Sequence, residues 1–60
     1  MKFKELRLQA NLLQQDVANK LGVDRSTVAK WETGGAMPRV DKLKDIAKLY
    51  GCTIDELLGV

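Results

Sequence analysis

Residues 14–34 read QQDVANKLGVDRSTVAKWETG, and their large apolar side chains recur only where two short helices could touch. At 3.6 residues per turn, Val17, Ala18 and Leu21 fall on one face of a helix from about Gln14 to Leu21. Val28 and Trp31 share one face of a second helix, from about Arg25 to Thr33. Gly22, between them, suits the left-handed backbone that ends a helix, and Val23 is placed to plug the corner. Asp24 offers a carboxylate to the free N–H groups and the positive dipole end of the helix that follows. Ala18 matters for its size, because a larger side chain would push the crossing helices apart.

The helical period continues on both sides of this stretch. A helix from about Lys2 to Ala10 groups Phe3, Leu6 and Ala10, with Arg7 beside them; Asn11 can end it in a left-handed conformation, and Leu12 returns to the core. Downstream, Gly34-Gly35-Ala36-Met37-Pro38 reads as a loop. A helix from about Arg39 to Tyr50 then aligns Val40, Leu43, Ile46, Ala47 and Tyr50, and Gly51 stops it. Thr53 and Glu56 form a capping box for a last short helix, with Ile54, Leu57 and Leu58 turned inward or toward a partner. The expectation is an all-α fold, five helices around one core, forming a single domain over residues 1–60 with no strand and no repeat.

Composition narrows the function. The chain is 45% apolar and 30% charged, ordinary for a globular domain. No apolar run approaches the ~20 residues of a membrane span, and MKFKELRLQ lacks the apolar centre of a secretory signal. A cytoplasmic protein is expected. One cysteine and no histidine exclude an internal disulfide, the usual zinc sets and histidine catalysis. No nucleophile–base pair or paired-carboxylate site can be assembled, so no enzyme, cofactor or small-molecule substrate is expected. Net charge is only +2, yet residues 1–44 carry nine Lys/Arg against five Asp/Glu, and residues 45–60 carry one against three. The asymmetry suggests a basic recognition end and an acidic closing end.

The arrangement at residues 14–33 looks like a helix-turn-helix, a unit that holds one helix out where it can enter a DNA groove. With Arg7 upstream, A18-x-x-L21-G22-V23-x-x-S26-x-V28-x-K30-W31-E32-x-G34 resembles the Cro/lambda-repressor-like family of bacterial and phage regulators. The resemblance continues through P38-R-x-x-K42-L-x-x-I46-A-x-x-Y50 and T53-x-D55-E56-L57-L58, covering nearly the whole chain without gaps. Three positions depart from the family pattern. Leu13 stands where Ser or Thr usually caps the second helix, at a cost of about 1 kcal/mol; Arg39 replaces a frequent Ser, and Cys52 a frequent aliphatic residue.

Side chains on the third helix that point away from Val28 and Trp31 are Arg25, Ser26, Ala29 and Lys30. The resemblance implies base contacts by Arg25, Ser26 and Lys30, with Thr27 near a phosphate or base. Arg25 can fork onto guanine O6 and N7, worth roughly 1–3 kcal/mol of discrimination. Gln14 opens the second helix, where free N–H groups favour an anion, and the family clamps a phosphate with a Gln there. Gly35, Arg39 and Lys42 are expected at other phosphates. The family also pairs the residues matching Arg7 and Glu32 as a structural ion pair, and Trp31 is read as a core wedge.

These readings imply a sequence-specific double-stranded DNA-binding protein: a transcriptional regulator, expected to repress by occupying a pseudo-palindromic operator as a homodimer. Leu57, Leu58, Val60 and Tyr50 are the candidate dimer contacts. The alternative is a protein-interaction module, such as an antitoxin, for which DNA contact is secondary.

Overall fold

The computed structural model describes residues 1–60 and has five helices and no strand: α1 (Phe3–Gln9), α2 (Gln14–Leu21), α3 (Arg25–Thr33), α4 (Val40–Tyr50) and α5 (Ile54–Leu58). The most extensive helix–helix contact joins α2 to α3. Val17, Ala18 and Val28 retain at most 1% of their surface there, which leaves no room for growth at Ala18. Phe3, Leu21, Trp31, Leu43, Ile46, Ala47, Tyr50 and Leu57 complete one core, with Leu6, Leu12, Val23, Leu49, Cys52, Ile54 and Leu58 packed against it.

The turn between α2 and α3 follows from Gly22, whose φ of 68° is left-handed and whose N–H closes on the Ala18 carbonyl. The Val23 N–H reaches the same carbonyl at 3.0 Å. Asn11 does the corresponding work after α1 at φ 59°, the only residue other than glycine with positive φ. Lys2, Ala10 and Arg39, expected inside helices, are the half-turned residues flanking them.

Capping differs from expectation at two helices. Asp24 occupies the cap position of α3, but its carboxylate makes no capping bond. Its own carbonyl takes the Thr27 N–H at 3.0 Å, one of the donors the side chain would have captured. At α2 the capping Ser or Thr that Leu13 displaces is partly replaced from within the helix, where the Asp16 carboxylate accepts the Leu13 N–H at 2.8 Å. The predicted box at α5 is complete: Glu56 N–H donates to Thr53 Oγ1 at 3.1 Å and Thr53 N–H to Glu56 Oε1 at 2.9 Å.

Three apolar expectations are corrected by burial. Val40 is 67% exposed, because the first turn of α4 lies beyond the edge of the core, which begins at Leu43. Tyr50 and Leu57 are buried within the chain, so neither is free for a dimer contact; Leu58 is half-buried and Val60 exposed. The Lys2 N–H donates to the Leu57 carbonyl at 2.7 Å, fastening the start of the chain to α5.

Burial, reinforced by the nearby negative charge of Glu32, pushes the Tyr50 phenol up to about 12. A group raised in the folded state leaves stability untouched below its unfolded value and draws it down as pH rises toward the folded one. The single tyrosine makes this measurable. Tyrosinate absorbance should remain absent at pH values that ionise a free phenol, and appear together with loss of helical circular dichroism. Ionisation near 10 in a fully helical protein would contradict this placement of Tyr50.

Candidate nucleic-acid interface

With Val28 and Trp31 turned into the core, α3 presents Arg25, Ser26 and Lys30 as exposed side chains, with Thr27 and Ala29 half-buried between them. Trp31 is 5% exposed and offers no stacking surface. The first backbone N–H of α3 with a carbonyl partner is that of Thr27, and the first of α2 is that of Val17. Both helices therefore begin with open donors at their positive dipole ends, a setting that favours anions. The α3 surface projects rather than encloses. Neither of the two surface clefts is lined by any α3 residue, and no three acidic, Cys or His side chains gather as metal ligands.

Beneath this surface runs a continuous hydrogen-bonded chain. Arg7 Nε donates to Glu32 Oε2 at 2.5 Å, and Arg7 Nη2 to Glu32 Oε1 at 3.1 Å. Its remaining arm, Nη1, donates to the Leu12 carbonyl at 2.8 Å. Gln14 Nε2 donates to Glu32 Oε1 at 3.0 Å, and Arg25 Nη1 donates to Gln14 Oε1 at 3.3 Å. The Arg7 and Glu32 side chains retain 7% and 4% of their surface. Burial disfavours the Glu32 charge, but hydrogen bonds from Arg7 and Gln14 outweigh it and hold the carboxyl below its usual range. Donation to Glu32 likewise raises the Arg7 guanidinium above its ordinary value, against the cost of burial.

The predicted phosphate-binding residues divide. Arg39 is exposed, and Gln14 and Thr27 are half-buried, at the N-terminal ends of α4, α2 and α3. Gly35 differs: its N–H donates to the Lys30 carbonyl at 2.9 Å, closing the end of α3, so the donor expected to face a phosphate is already engaged. Lys42 differs as well. Its half-buried ammonium donates to the Leu21 carbonyl at 2.8 Å and so neutralises the negative end of α2 just before the turn. Sequence reading missed this contact, and also the double engagement of Gln14. The available signal was the seven-residue spacing of Arg25 and Glu32, which puts both on one α3 face, toward the start of α2.

Comparison with known proteins identifies the family. The helix-turn-helix family model matches residues 3–57, and the chain belongs to that family, in its Cro/lambda-repressor-like form, whose members are DNA-binding transcription regulators. It is 44% identical over 58 residues to the transcriptional activator BcrR of Enterococcus faecalis, covering 97% of this chain and 28% of that protein. It is 37% identical over 58 residues to the cryptic phage CTXphi transcriptional repressor RstR of Vibrio cholerae, covering 97% of this chain and 52% of that one. A helix-turn-helix transcriptional regulator of Methanocaldococcus jannaschii is 39% identical over 56 residues, or 93% and 85% of the two chains. The chain thus spans between about a quarter and about half the length of the first two relatives. No solved structure matches it significantly.

Two outcomes follow from the contacts. A carboxyl held low in the folded state stabilises above its unfolded value and loses that contribution as pH falls through the folded one. Acid unfolding below the usual carboxylate range should therefore be shallower in Glu32→Gln than in wild type; equal slopes would show that Glu32 gains nothing from Arg7 and Gln14. Lys42→Met should lower stability by about 1 kcal/mol and weaken DNA binding without changing the slope of log affinity against log salt. A slope reduced by about 0.9 would instead reveal a direct phosphate contact.

Proposed function

We propose that this helix-turn-helix protein binds double-stranded DNA sequence-specifically by laying the N-terminal turn of α3 in the major groove. The carrying observation is the sidedness of α3: Val28 and Trp31 are sealed in the core while Arg25, Ser26 and Lys30 face outward. Arg25 reads a guanine with its planar fork, Lys30 reaches a guanine or a phosphate, and Ser26 adapts to either base edge. Gln14, Thr27 and Arg39 grip phosphates and fix the register. Gly35 permits close approach of the backbone, and Lys42 acts chiefly by holding the end of α2. No step of this activity is enzymatic or needs a cofactor.

Dimension supports a dimer on an inverted repeat. The protein extends 26 × 23 × 19 Å, less than the ~34 Å between successive major-groove faces on one side of a duplex. One copy reaches one groove, and too few base pairs for a unique site. Leu58 and Val60 are the remaining candidates for the contact between copies. Regulation then proceeds by occupancy, and represses when the operator overlaps a promoter. The matched relatives include one named as an activator and one named as a repressor, which supports placing the sign of regulation outside this domain. No helix is long and apolar enough to cross a membrane, in keeping with a cytoplasmic regulator at its DNA.

Selection of bound duplexes from a random pool tests this reading. Two inverted half-sites, about ten base pairs apart centre to centre, should emerge, with affinity falling steeply with salt. Arg25→Ala should relax one symmetry-related position, by roughly 1–3 kcal/mol, and leave the helical content unchanged. Failure to enrich any sequence, with a flat salt response, would favour the protein-interaction alternative. An asymmetric consensus with monomeric sedimentation on DNA would remove the dimer.

A further inference from the structure

Each bond in the chain from Arg7 to Arg25 can run in only one direction. Arg7 is a donor with no acceptor capacity, and the Glu32 carboxylate only accepts. The end of the Gln14 amide that faces Glu32 Oε1 must therefore be the NH2 group, as it is at 3.0 Å. Its carbonyl then has to point the other way, where it receives Arg25 Nη1 at 3.3 Å. The reverse orientation would set a carbonyl against a carboxylate and an NH2 group against a guanidinium. Both contacts would be lost together.

Glu32 and Arg25 lie two turns apart on α3, about 10.5 Å along its axis, too far for direct contact. Gln14, from another helix, bridges them. Arg7 holds Glu32 with two bonds and is itself held by the Leu12 carbonyl, so the fixed end of the relay is backbone in the α1–α2 connection. Its free end is the exposed Arg25, whose side chain makes no other hydrogen bond.

We propose that Glu32 is a specificity-positioning residue: acting through Gln14, it holds the Arg25 guanidinium ready for a base before DNA arrives. An arginine restrained beforehand loses less rotational freedom on forming a forked contact, so the benefit falls on the one base pair it reads. This rests on the assignment of Arg25 as a base reader. The phosphate contacts of Thr27 and Arg39, outside the relay, gain nothing from it.

The test is competition binding of the full chain to a panel carrying each of the four base pairs at the position Arg25→Ala relaxes. Glu32→Gln, whose amide no longer dictates the orientation of Gln14, should reduce discrimination at that position by about threefold to tenfold, part of the loss from Arg25→Ala. Preferences elsewhere and the salt slope should be unchanged. Should Glu32→Gln fail to fold by circular dichroism, Gln14→Met breaks the relay while leaving the Arg7–Glu32 pair in place. It should lower affinity on every duplex through its phosphate and, in addition, flatten preference at that one position.

A purely structural role for Glu32 would weaken all duplexes in parallel with the folded fraction and leave every ratio intact, which overturns the proposal. If Arg25→Ala relaxes one position but neither Glu32→Gln nor Gln14→Met does, the relay falls and the reader stands. If Arg25→Ala relaxes none, both fall.

Discussion

Arg7 and Glu32 are nearly withdrawn from water, and their pairing ties the first helix to the third. Removing two charges from solvent is costly, and mutual attraction compensates only when geometry is good and the remaining donors are satisfied. Here the contact is forked, the third guanidinium arm meets the Leu12 carbonyl, and Gln14 adds a further donor to the carboxylate. No buried side-chain nitrogen or oxygen is left without a partner. A 60-residue chain has little apolar material with which to fix helix orientation. A buried pair with directional bonds reinforces the orientation that burial of Val28 and Trp31 gives α3, and so steadies which residues point outward.

The consequences spread from that orientation. With Val28 and Trp31 inward, the opposite face must carry Arg25, Ser26 and Lys30. The tight α2–α3 crossing at Ala18 and the left-handed turn at Gly22 then bring the start of α2 beside the start of α3, so that Gln14 and Arg25 meet. Lys42 acts on the same unit from behind, neutralising the carbonyl end of α2. The surface so formed is exposed and donor-rich, and no α3 residue lines either cleft.

Most of this fold was legible in the sequence, because it depends on periodicity and on residues with special backbone preferences. The 3.6-residue recurrence of apolar side chains located all five helices, and Asn11, Gly22 and Gly51 marked their ends by tolerance of positive φ. Less legible was whatever depends on distances between elements. Asp24 has the right side chain for a cap, yet its own carbonyl reached the Thr27 N–H first. Val40 obeys the helical period but lies past the edge of the core, and periodicity carries no information about where a neighbouring helix stops. Position along the chain points Lys42 and Gly35 at phosphates, whereas their donors meet the protein's own carbonyls. Tyr50 and Leu57 suit a partner on periodicity alone, and only the packing of the helices shows that the core takes both.

The central claim is that the outward face of α3 meets the duplex. Nuclear magnetic resonance of the protein, titrated with a duplex carrying the selected half-site, reads that face residue by residue. The largest perturbations are expected at Arg25, Ser26 and Lys30 and at the side-chain amide of Gln14, with α5 little changed except where copies meet. Perturbations concentrated on α4 and α5, with the first turn of α3 silent, would contradict it.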